Sequence, residues 1–331
     1  MDKSFRAYRI HLKDGNIRGE LETLNREELK PGDILVRVEY SSINYKDALA
    51  ATGTGRILRE YPLIGGIDLA GEVLESADER FRPGDKVLAI GCGQSETRDG
   101  GYTELAHVYG DCALHIPKTM DTRAVMALGT AGFTAALAVH RMEHNGQRPE
   151  LGPIVVTGAT GGVGSVAIDL LAARGYQVTA VTGKDEQQRY LESLGATEII
   201  DRRTLDLGTK PLEHADWGGA IDNLGGEILA WLTRTVRPGG NIASVGLAAG
   251  TELRTTVMPF ILRGVSLLGI NMDVGHALRA ELWERLGSDL KPRHLERIVT
   301  REVSLSELPD CFDAYMSGSA LGRTLVRVQE S

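Results

Sequence analysis

The hydrophobic and polar positions of this chain follow two different patterns. In the first third of the sequence and in its last part, short segments alternate apolar and polar residues, and Gly and Pro turns separate them. Short strands joined by such turns are typical of an all-β, partly closed module. The predicted strands are residues 34–40, 69–74, 86–90, 300–303 and 324–328, with a helix at 277–286. We expect the C-terminal part to fold back onto the N-terminal part.

The middle of the chain alternates strands and helices. Short apolar strands are predicted at residues 154–157, 177–181, 199–200, 219–222 and 241–245, with helical patterns after the first two. This alternation predicts a parallel, doubly wound α/β sheet. We therefore expect an α/β domain at residues 123–270, inserted into a discontinuous β-rich domain that comprises residues 1–122 and 271–331.

Composition excludes several classes of protein. Lys and Arg number 37 against 45 Asp and Glu, so the net charge is −8, which argues against a nucleic-acid binder because such proteins need a basic surface. Glycine is frequent, with 40 of 331 residues, and it clusters in short loops without a period. Glycine loops of this kind allow close approach of the backbone to a ligand.

The cysteines and the N-terminus indicate a cytoplasmic protein. Cys92, Cys112 and Cys311 form no Cys-x-x-Cys pair, so no disulfide framework is expected and the simplest compartment is a reducing one. Residues 1–6 lack the apolar stretch of a signal peptide. No window contains the roughly 18 uninterrupted apolar residues of a membrane span, and we expect no membrane association.

The strongest motif is a glycine-rich turn, Gly-Ala-Thr-Gly-Gly-Val-Gly at residues 158–164. Ala159, Gly161 and Gly164 fit the G-x-G-x-x-G fingerprint with Ala in the first position, and Gly158 can supply the tight turn. Small residues let the backbone approach a pyrophosphate, and the following helix presents N–H groups to it. The strand–turn–helix–strand context predicts a dinucleotide site, and a tight turn without a ligand is the alternative.

The end of the second strand indicates which dinucleotide binds. An NAD site would have Asp or Glu there, whereas this chain has Thr182-Gly183-Lys184. A hydroxyl, a backbone N–H and a cation suit a 2′-phosphate, and Arg202 after the next strand can add a second cation. We therefore predict NADPH as the cofactor, with solvated surface cations as the alternative.

With these motifs in view, the sequence resembles the medium-chain dehydrogenase/reductase superfamily over nearly its whole length. The segments concerned are 83–87 (PGDKV), 129–135 (GTAGFTA), 156–164, 194–196 (LGA) and 239–240. Residues 41–50 (SSINYKDALA) resemble its zinc-independent quinone-oxidoreductase branch, and residues 256–263 and 322–326 resemble the acrylyl-CoA reductase type. The resemblance implies a GroES-like β-rich catalytic domain and a Rossmann domain that binds NADP.

The resemblance also implies the cofactor contacts and a homodimer. The implied contact residues are Tyr45, Thr160, Gly161, Gly162, Val163, Thr182, Gly183, Lys184, Arg202, Leu247, Ile261, Met272 and Gly318. No metal is expected. Zinc-dependent relatives carry Cys where Asn44 stands and His where Ile67 stands, and their third ligand falls near Gly129, which has no side chain.

Three residues are predicted to be catalytic by the same resemblance: Asn44, Tyr45 and Asp47. Tyr45 is expected to donate a hydrogen bond or a proton, or to pack beside the nicotinamide. Asn44 is expected to orient substrate or cofactor, and Asp47 to hold a proton relay. A structural alternative stays open, because Asn44 can act as an N-cap with Asp47 in the first helical turn.

The activity that the resemblance implies is reduction of the C=C bond of an α,β-unsaturated acyl-CoA, acryloyl-CoA to propanoyl-CoA, by hydride from NADPH. Two-electron reduction of a quinone is the alternative within the same class. A non-catalytic NADPH-binding sensor is the alternative from another class. Arg56, Arg59 and Arg323 are candidates for the phosphates of coenzyme A, or else solvated surface arginines.

Overall fold

The computed structural model describes residues 4–329, which form two compact units. Unit 1 comprises residues up to Thr130 together with Asp273–Ser288 and the chain from Val299 onward. Unit 2 comprises Ala131–Met272 and Asp289–Ile298. The predicted division at residues 122 and 270 differs from these units at residues 123–130, which group with unit 1, and at residues 271–272 and 289–298, which group with unit 2. The domain ranges themselves stay a prediction.

Sixteen strands and nine α-helices are formed within residues 4–329. The strands are β1 (Ser4–Lys13), β2 (Asn16–Asn25), β3 (Ile34–Ile43), β4 (Leu63–Ile64), β5 (Asp68–Ser76), β6 (Lys86–Ile90), β7 (Leu105–Val108), β8 (Ala113–His115), β9 (Ile154–Thr157), β10 (Val178–Thr182), β11 (Glu198–Asp201), β12 (Trp217–Asp222), β13 (Val236–Ser244), β14 (Ser266–Gly269), β15 (Val299–Ser304) and β16 (Arg323–Arg327). The helices are α1 (Tyr45–Thr52), α2 (Thr122–His144), α3 (Gly162–Ala173), α4 (Gln188–Ser193), α5 (Gly226–Thr235), α6 (Met258–Arg263), α7 (His276–Leu286), α8 (Leu295–Ile298) and α9 (Pro309–Met316).

Unit 1 is built on a sheet with strand order β15-β16-β3-β5-β6-β8, and β7 also pairs with β3. The C-terminal strand β16 runs antiparallel to β3, with Thr324 opposite Ile43. This pairing confirms that the end of the chain returns to its beginning. It also brings Arg323 beside the last residues of β3, where helix α1 is about to start.

Unit 2 contains a six-stranded sheet with strand order β11-β10-β9-β12-β13-β14. Every neighbouring pair in this sheet is parallel. In chain order this is the arrangement 3-2-1-4-5-6 of a doubly wound dinucleotide-binding fold. The buried strand residues, such as Val155, Val181 and Ile242, pack with the apolar face of α5. The predicted fold class is therefore confirmed.

Several elements were not predicted from the sequence, among them a hairpin in unit 1 and the long helix α2. The first is the hairpin of β1 and β2, whose turn is Asp14-Gly15, with both residues at positive φ. Asp-Gly between two strands is a strong hairpin signal, and it marks this turn in the sequence. The second is α2, which is long and apolar enough to cross a membrane by length and composition, but 78% of its most apolar window is buried inside the protein. Burial of this extent is typical of a core helix.

Gly71 in β5 is predicted to be a residue at which any side chain disrupts unit 1. A Cβ there would overlap the carbonyl oxygen of Arg37 in β3, which is backbone and cannot turn away. Gly71→Ala should therefore destabilise the protein by about 1–3 kcal/mol or more. Urea unfolding measures the loss. Gly269→Ala in β14 is the matched control, since a Cβ there meets no atom within 4 Å; equal losses would contradict the prediction.

Candidate active site

The glycine turn of unit 2 has the geometry of a phosphate-binding loop. Strand β9 ends at Thr157, Gly158 takes φ 56°, and α3 begins at Gly162 with Gly161 as its N-cap. A Cβ on Gly164 would lie 2.5 Å from the carbonyl oxygen of Gly158, so the close contact between turn and helix requires glycine there. The first N–H groups of α3 have no partner within the helix and are directed out of its N-terminus.

One buried acceptor beside this turn has no partner. The side-chain amide of Asn223, which follows β12, donates to the carbonyl oxygen of Thr157 at 2.7 Å, while its Oδ1 is buried without a hydrogen bond. Asn223 Cβ lies 3.2 Å from the position of a Cβ on Gly158. A buried acceptor without a hydrogen bond costs free energy. Because this acceptor lies at the carboxyl end of the parallel sheet, where ligands of this fold bind, a ligand that donates a hydrogen bond to it would remove that cost. The residues present therefore fit a dinucleotide.

The predicted 2′-phosphate residues lie together at the end of β10. The Lys184 backbone N–H donates to Thr182 Oγ1 at 3.1 Å, and the Arg202 guanidinium lies 3.5 Å from the position of a Cβ on Gly183. Burial lowers the pKa of Lys184 below its usual value. Within residues 4–329, no carboxylate lies within salt-bridge distance of Arg202, whereas the adjacent Arg203 pairs with Asp185 and Asp201.

The other predicted cofactor contacts are divided between the two units. Leu247 and Ile261 are 65% and 73% exposed in unit 2, and Met272 follows β14. Thr160 is buried beside Gly161 in the glycine turn, and Gly162 and Val163 open α3. Tyr45 and Gly318 belong to unit 1. Tyr45 is 47% exposed as the first residue of α1.

Asn44 and Asp47 start helix α1 and bind each other. Asn44 is the N-cap, and its backbone N–H donates to Asp47 Oδ2 at 2.8 Å. The other oxygen of Asp47 accepts from the backbone N–H of Ile67 at 2.9 Å. This is the structural role that the sequence left open for the pair. Both side chains are buried, so the exposed residue of the predicted catalytic group is Tyr45.

A polar cluster lies at the start of α1 and consists of five buried residues and the partly buried Thr130. The buried members are Ser42, Asn44, Asp47, Asp68 and Arg323. Asp68 accepts from Ser42 Oγ at 2.6 Å, from Asn44 Nδ2 at 2.8 Å and from Thr130 N and Oγ1 at 2.9 and 2.5 Å. Asn44 Oδ1 in turn accepts from Arg323 at 3.1 Å. The Asn44 amide is thus fully engaged inside the protein.

Both predictions for Arg323, a contact with coenzyme A and a solvated surface position, are wrong. It is only 2% exposed, so it is neither a solvated surface residue nor available to coenzyme A. Its guanidinium donates to the carbonyl oxygens of Ala127 and Ile43 at 3.2 and 3.0 Å and to Ser42 Oγ at 2.7 Å. These partners lie 196 to 281 residues earlier in the chain, so no local pattern reports them.

The positions that correspond to zinc ligands in zinc-dependent relatives do not fit zinc. A Cβ on Gly129 would lie 2.5 Å from Asp68 Oδ2 and 2.8 Å from Arg323 Nη2. The space beside Asn44 and Asp68 is therefore filled by the guanidinium of Arg323. Among residues 4–329, no group of three or more His, Cys, Asp or Glu side chains is arranged to hold a metal.

The prediction about the cysteines needs a correction. Cys92 and Cys112 form a disulfide with a Cα–Cα distance of 5.9 Å, while Cys311 is free and buried. The sequence predicted no disulfide framework, and this single disulfide was not anticipated. The pair is separated by 20 residues in sequence and meets because β6 and β8 are neighbours in the sheet. Spacing alone does not indicate such a pair.

The parallel sheet, the glycine turn and the β-rich unit together define a dinucleotide-dependent dehydrogenase of two units. Comparison with known families agrees with this class. Residues 30–144 match the alcohol dehydrogenase GroES-like domain, and residues 162–287 match the zinc-binding dehydrogenase family.

Individual relatives identify a narrower group. The acrylyl-CoA reductase AcuI of Ruegeria pomeroyi is 45% identical over 96% of both chains. The yhdH oxidoreductase of Salmonella enterica, solved with NADP, has a TM-score of 0.95 at 44% identity, covering 98% of this chain and 100% of that one. YhfP of Bacillus subtilis, solved with NAD, has a TM-score of 0.96 at 46% identity, covering 99% and 100%. The chain belongs to the medium-chain dehydrogenase/reductase superfamily and, within it, to the family of AcuI, YhdH and YhfP.

The polar cluster at the start of α1 leads to a prediction of how the free energy of unfolding depends on pH. Burial, and then the Asp68 carboxylate, raise the pKa of Asp47 to about 7. The folded state therefore binds more protons than the unfolded state above pH ~4, the usual range of an Asp, and stability should fall as the pH rises from about 4 to 7. Asp47→Asn should flatten that slope, measured as unfolding midpoints between pH 5 and 8. The exposed Glu227→Gln is the control and should keep the parent slope; an unchanged slope in Asp47→Asn would contradict the assignment.

Proposed function

We propose that this protein is an NADPH-dependent reductase of the C=C bond of an α,β-unsaturated acyl-CoA, with acryloyl-CoA as the preferred acceptor. The observation that carries the cofactor choice is the group formed by Thr182, Gly183, Lys184 and Arg202, where two cations adjoin a strand end that has no acidic residue. The relatives confirm the oxidoreductase class and the NADPH prediction. One relative was solved with NAD, and in this chain Lys184 and Arg202 are the residues expected to favour NADPH over NAD.

The residues of unit 2 hold the cofactor in this proposal. The turn of Thr160, Gly161, Gly162 and Val163 binds the pyrophosphate through backbone N–H groups. Lys184 and Arg202 bind the 2′-phosphate. NADPH supplies a hydride when bound. The further proposed contacts in unit 2 are Leu247, Ile261 and Met272.

The residues of unit 1 position and protonate the substrate. Tyr45 has an exposed side chain on a helix start that Asn44 and Asp47 fix, so its hydroxyl is suited to donate a hydrogen bond or proton to the acceptor. Asn44 and Asp47 act indirectly, because their polar atoms already bind Asp68, Arg323 and the Ile67 backbone. Asp47 keeps its proposed role of holding a proton, now inside the cluster.

We further propose a cytoplasmic homodimer that binds neither nucleic acid nor membrane. In unit 2, β14 is an edge strand of the parallel sheet. The exposed apolar side chains Leu247, Val257, Ile261 and Leu262 belong to the same unit. An exposed strand edge accompanied by exposed apolar residues is suited to pairing with a second copy.

Quinone reduction is the second candidate function. It is favoured by YhfP of B. subtilis, a candidate quinone oxidoreductase that is 46% identical over 99% of this chain. Quinones, like enoyl thioesters, accept a hydride without a further cofactor.

The acceptor is tested by NADPH oxidation at 340 nm with acryloyl-CoA and with a benzoquinone. We expect turnover with acryloyl-CoA at a kcat/KM at least tenfold above that with the quinone. The reverse order would favour the quinone reductase. Binding of NADPH without oxidation by either acceptor would favour a non-catalytic sensor and contradict the proposal.

The cofactor assignment is tested by Lys184→Ala combined with Arg202→Ala. Each charge-assisted hydrogen bond contributes about 1.5–3 kcal/mol, so the KM for NADPH should rise tenfold or more, while the KM for NADH should change little. Arg203→Ala is the matched control, because its guanidinium is paired with Asp185 and Asp201. Equal effects on the two dinucleotides would refute the phosphate site.

A further inference from the structure

The disulfide of unit 1 lies between two arginines. Arg98 Nη1 is 3.3 Å from Cys112 Sγ, and Arg279 Nη1 is 3.3 Å from Cys92 Sγ. Each sulfur therefore has a guanidinium within hydrogen-bond distance. The two arginines come from different parts of the chain, Arg98 from the loop after β6 and Arg279 from α7, so the arrangement is not the result of one local turn.

The positive charges of these arginines are not balanced by carboxylates in contact. Arg279 is only 8% exposed, its Nη2 donates to the carbonyl oxygen of Asp111, and its Nε has no partner. Arg98 donates to the carbonyl oxygen of Cys92 and lies 4.1 Å from the centre of the Tyr109 ring. Within residues 4–329, neither guanidinium has a carboxylate at salt-bridge distance. The side chains of Asp111 and Asp273 act on Arg279 only over longer distances, and Asp111 pairs with Arg80.

A buried guanidinium without a counter-ion is costly, and the sulfur of a disulfide is only a weak acceptor. Thiolates at Cys92 and Cys112 would provide the missing negative charge at the same two positions. Cationic neighbours lower the pKa of a thiol, and stabilising the thiolates makes the corresponding disulfide easier to reduce. The two guanidinium groups beside this pair therefore stabilise its reduced, ionised form.

We propose that Cys92 and Cys112 form a thiol–disulfide exchange site for low-molecular-weight disulfides and thiols, with Arg98 and Arg279 as its thiolate-stabilising residues. Cys92, the more exposed of the two, attacks the small disulfide and forms a mixed disulfide, releasing one thiol. Cys112 then attacks the sulfur of Cys92 and releases the second thiol. The protein pair loses two electrons, the small disulfide gains them, and the protons of the two cysteines leave with the released thiols. Reduction of the pair by two thiols is the reverse sequence.

The full-length protein is tested in mixtures of reduced and oxidised glutathione. Acid quenching, alkylation and peptide mass spectrometry then give the redox state of each cysteine. We expect Cys92 and Cys112 to convert together, while buried Cys311 stays a thiol at every ratio and serves as an internal control. Thiolate absorbance at 240 nm should titrate in the reduced protein at least one pH unit below the ~8.5 of an ordinary thiol and disappear in Cys92→Ser.

Arginine variants separate this site from a merely structural disulfide. Arg279→Gln should raise the midpoint of the Cys92 thiolate titration by about one pH unit and, at a pH above both midpoints, make the disulfide about tenfold harder to reduce. Arg279→Lys should recover part of both changes. Arg98→Gln provides the same measurement at Cys112 if the Arg279 variant does not fold. The proposal is overturned if the parent thiols titrate near 8.5, if the two cysteines do not convert together, or if the Gln variants leave the midpoint unchanged.

Discussion

The hydrogen bonds accepted by the Asp68 carboxylate are the interactions on which unit 1 depends most. It lies at the start of β5 and accepts hydrogen bonds from β3, from the start of α1 and from α2, so one buried anion joins three elements. Arg323, from the last strand, balances its charge through Ser42 and Asn44 without touching it closely. Removing any one of these partners would leave a buried group unsatisfied, which costs more than the bond itself contributes.

This cluster also fixes the start of α1, which carries the proposed catalytic residue Tyr45. Asn44 and Asp47 are held by partners on several sides, so the helix start is rigid while the next side chain, Tyr45, is exposed. Functional groups on a rigid element with fully bonded neighbours keep their geometry better than groups on a loop. The fit of the guanidinium beside Gly129 further means that this site is organised by an internal cation of the protein. The N–H donors of a guanidinium have fixed directions, whereas a metal ion has no such donors.

The local elements could largely be predicted from the sequence. Strands β6 and β9 have the predicted bounds, because a short apolar run between turn residues has few other solutions. The parallel sheet followed from the alternation of strands and helices. The β1–β2 hairpin was missed although Asp14-Gly15 marks it, and of its two strands only β2 is mostly polar. The glycine turn connects strand β9 to helix α3, as its motif predicts, because that motif is local along the chain. The ligand contacts assigned to its residues stay a prediction.

What could not be predicted are the contacts between distant segments. The sequence by itself determined the two patterns of secondary structure, the glycine turn and the cationic end of β10, since each rests on residues that are neighbours along the chain. Only the tertiary structure decided that Arg323 is buried against Asn44 and that Cys92 meets Cys112 between two arginines. The physical reason is that burial and charge pairing depend on which strands become neighbours in the sheet, and pairing across the chain leaves no periodic mark in the sequence.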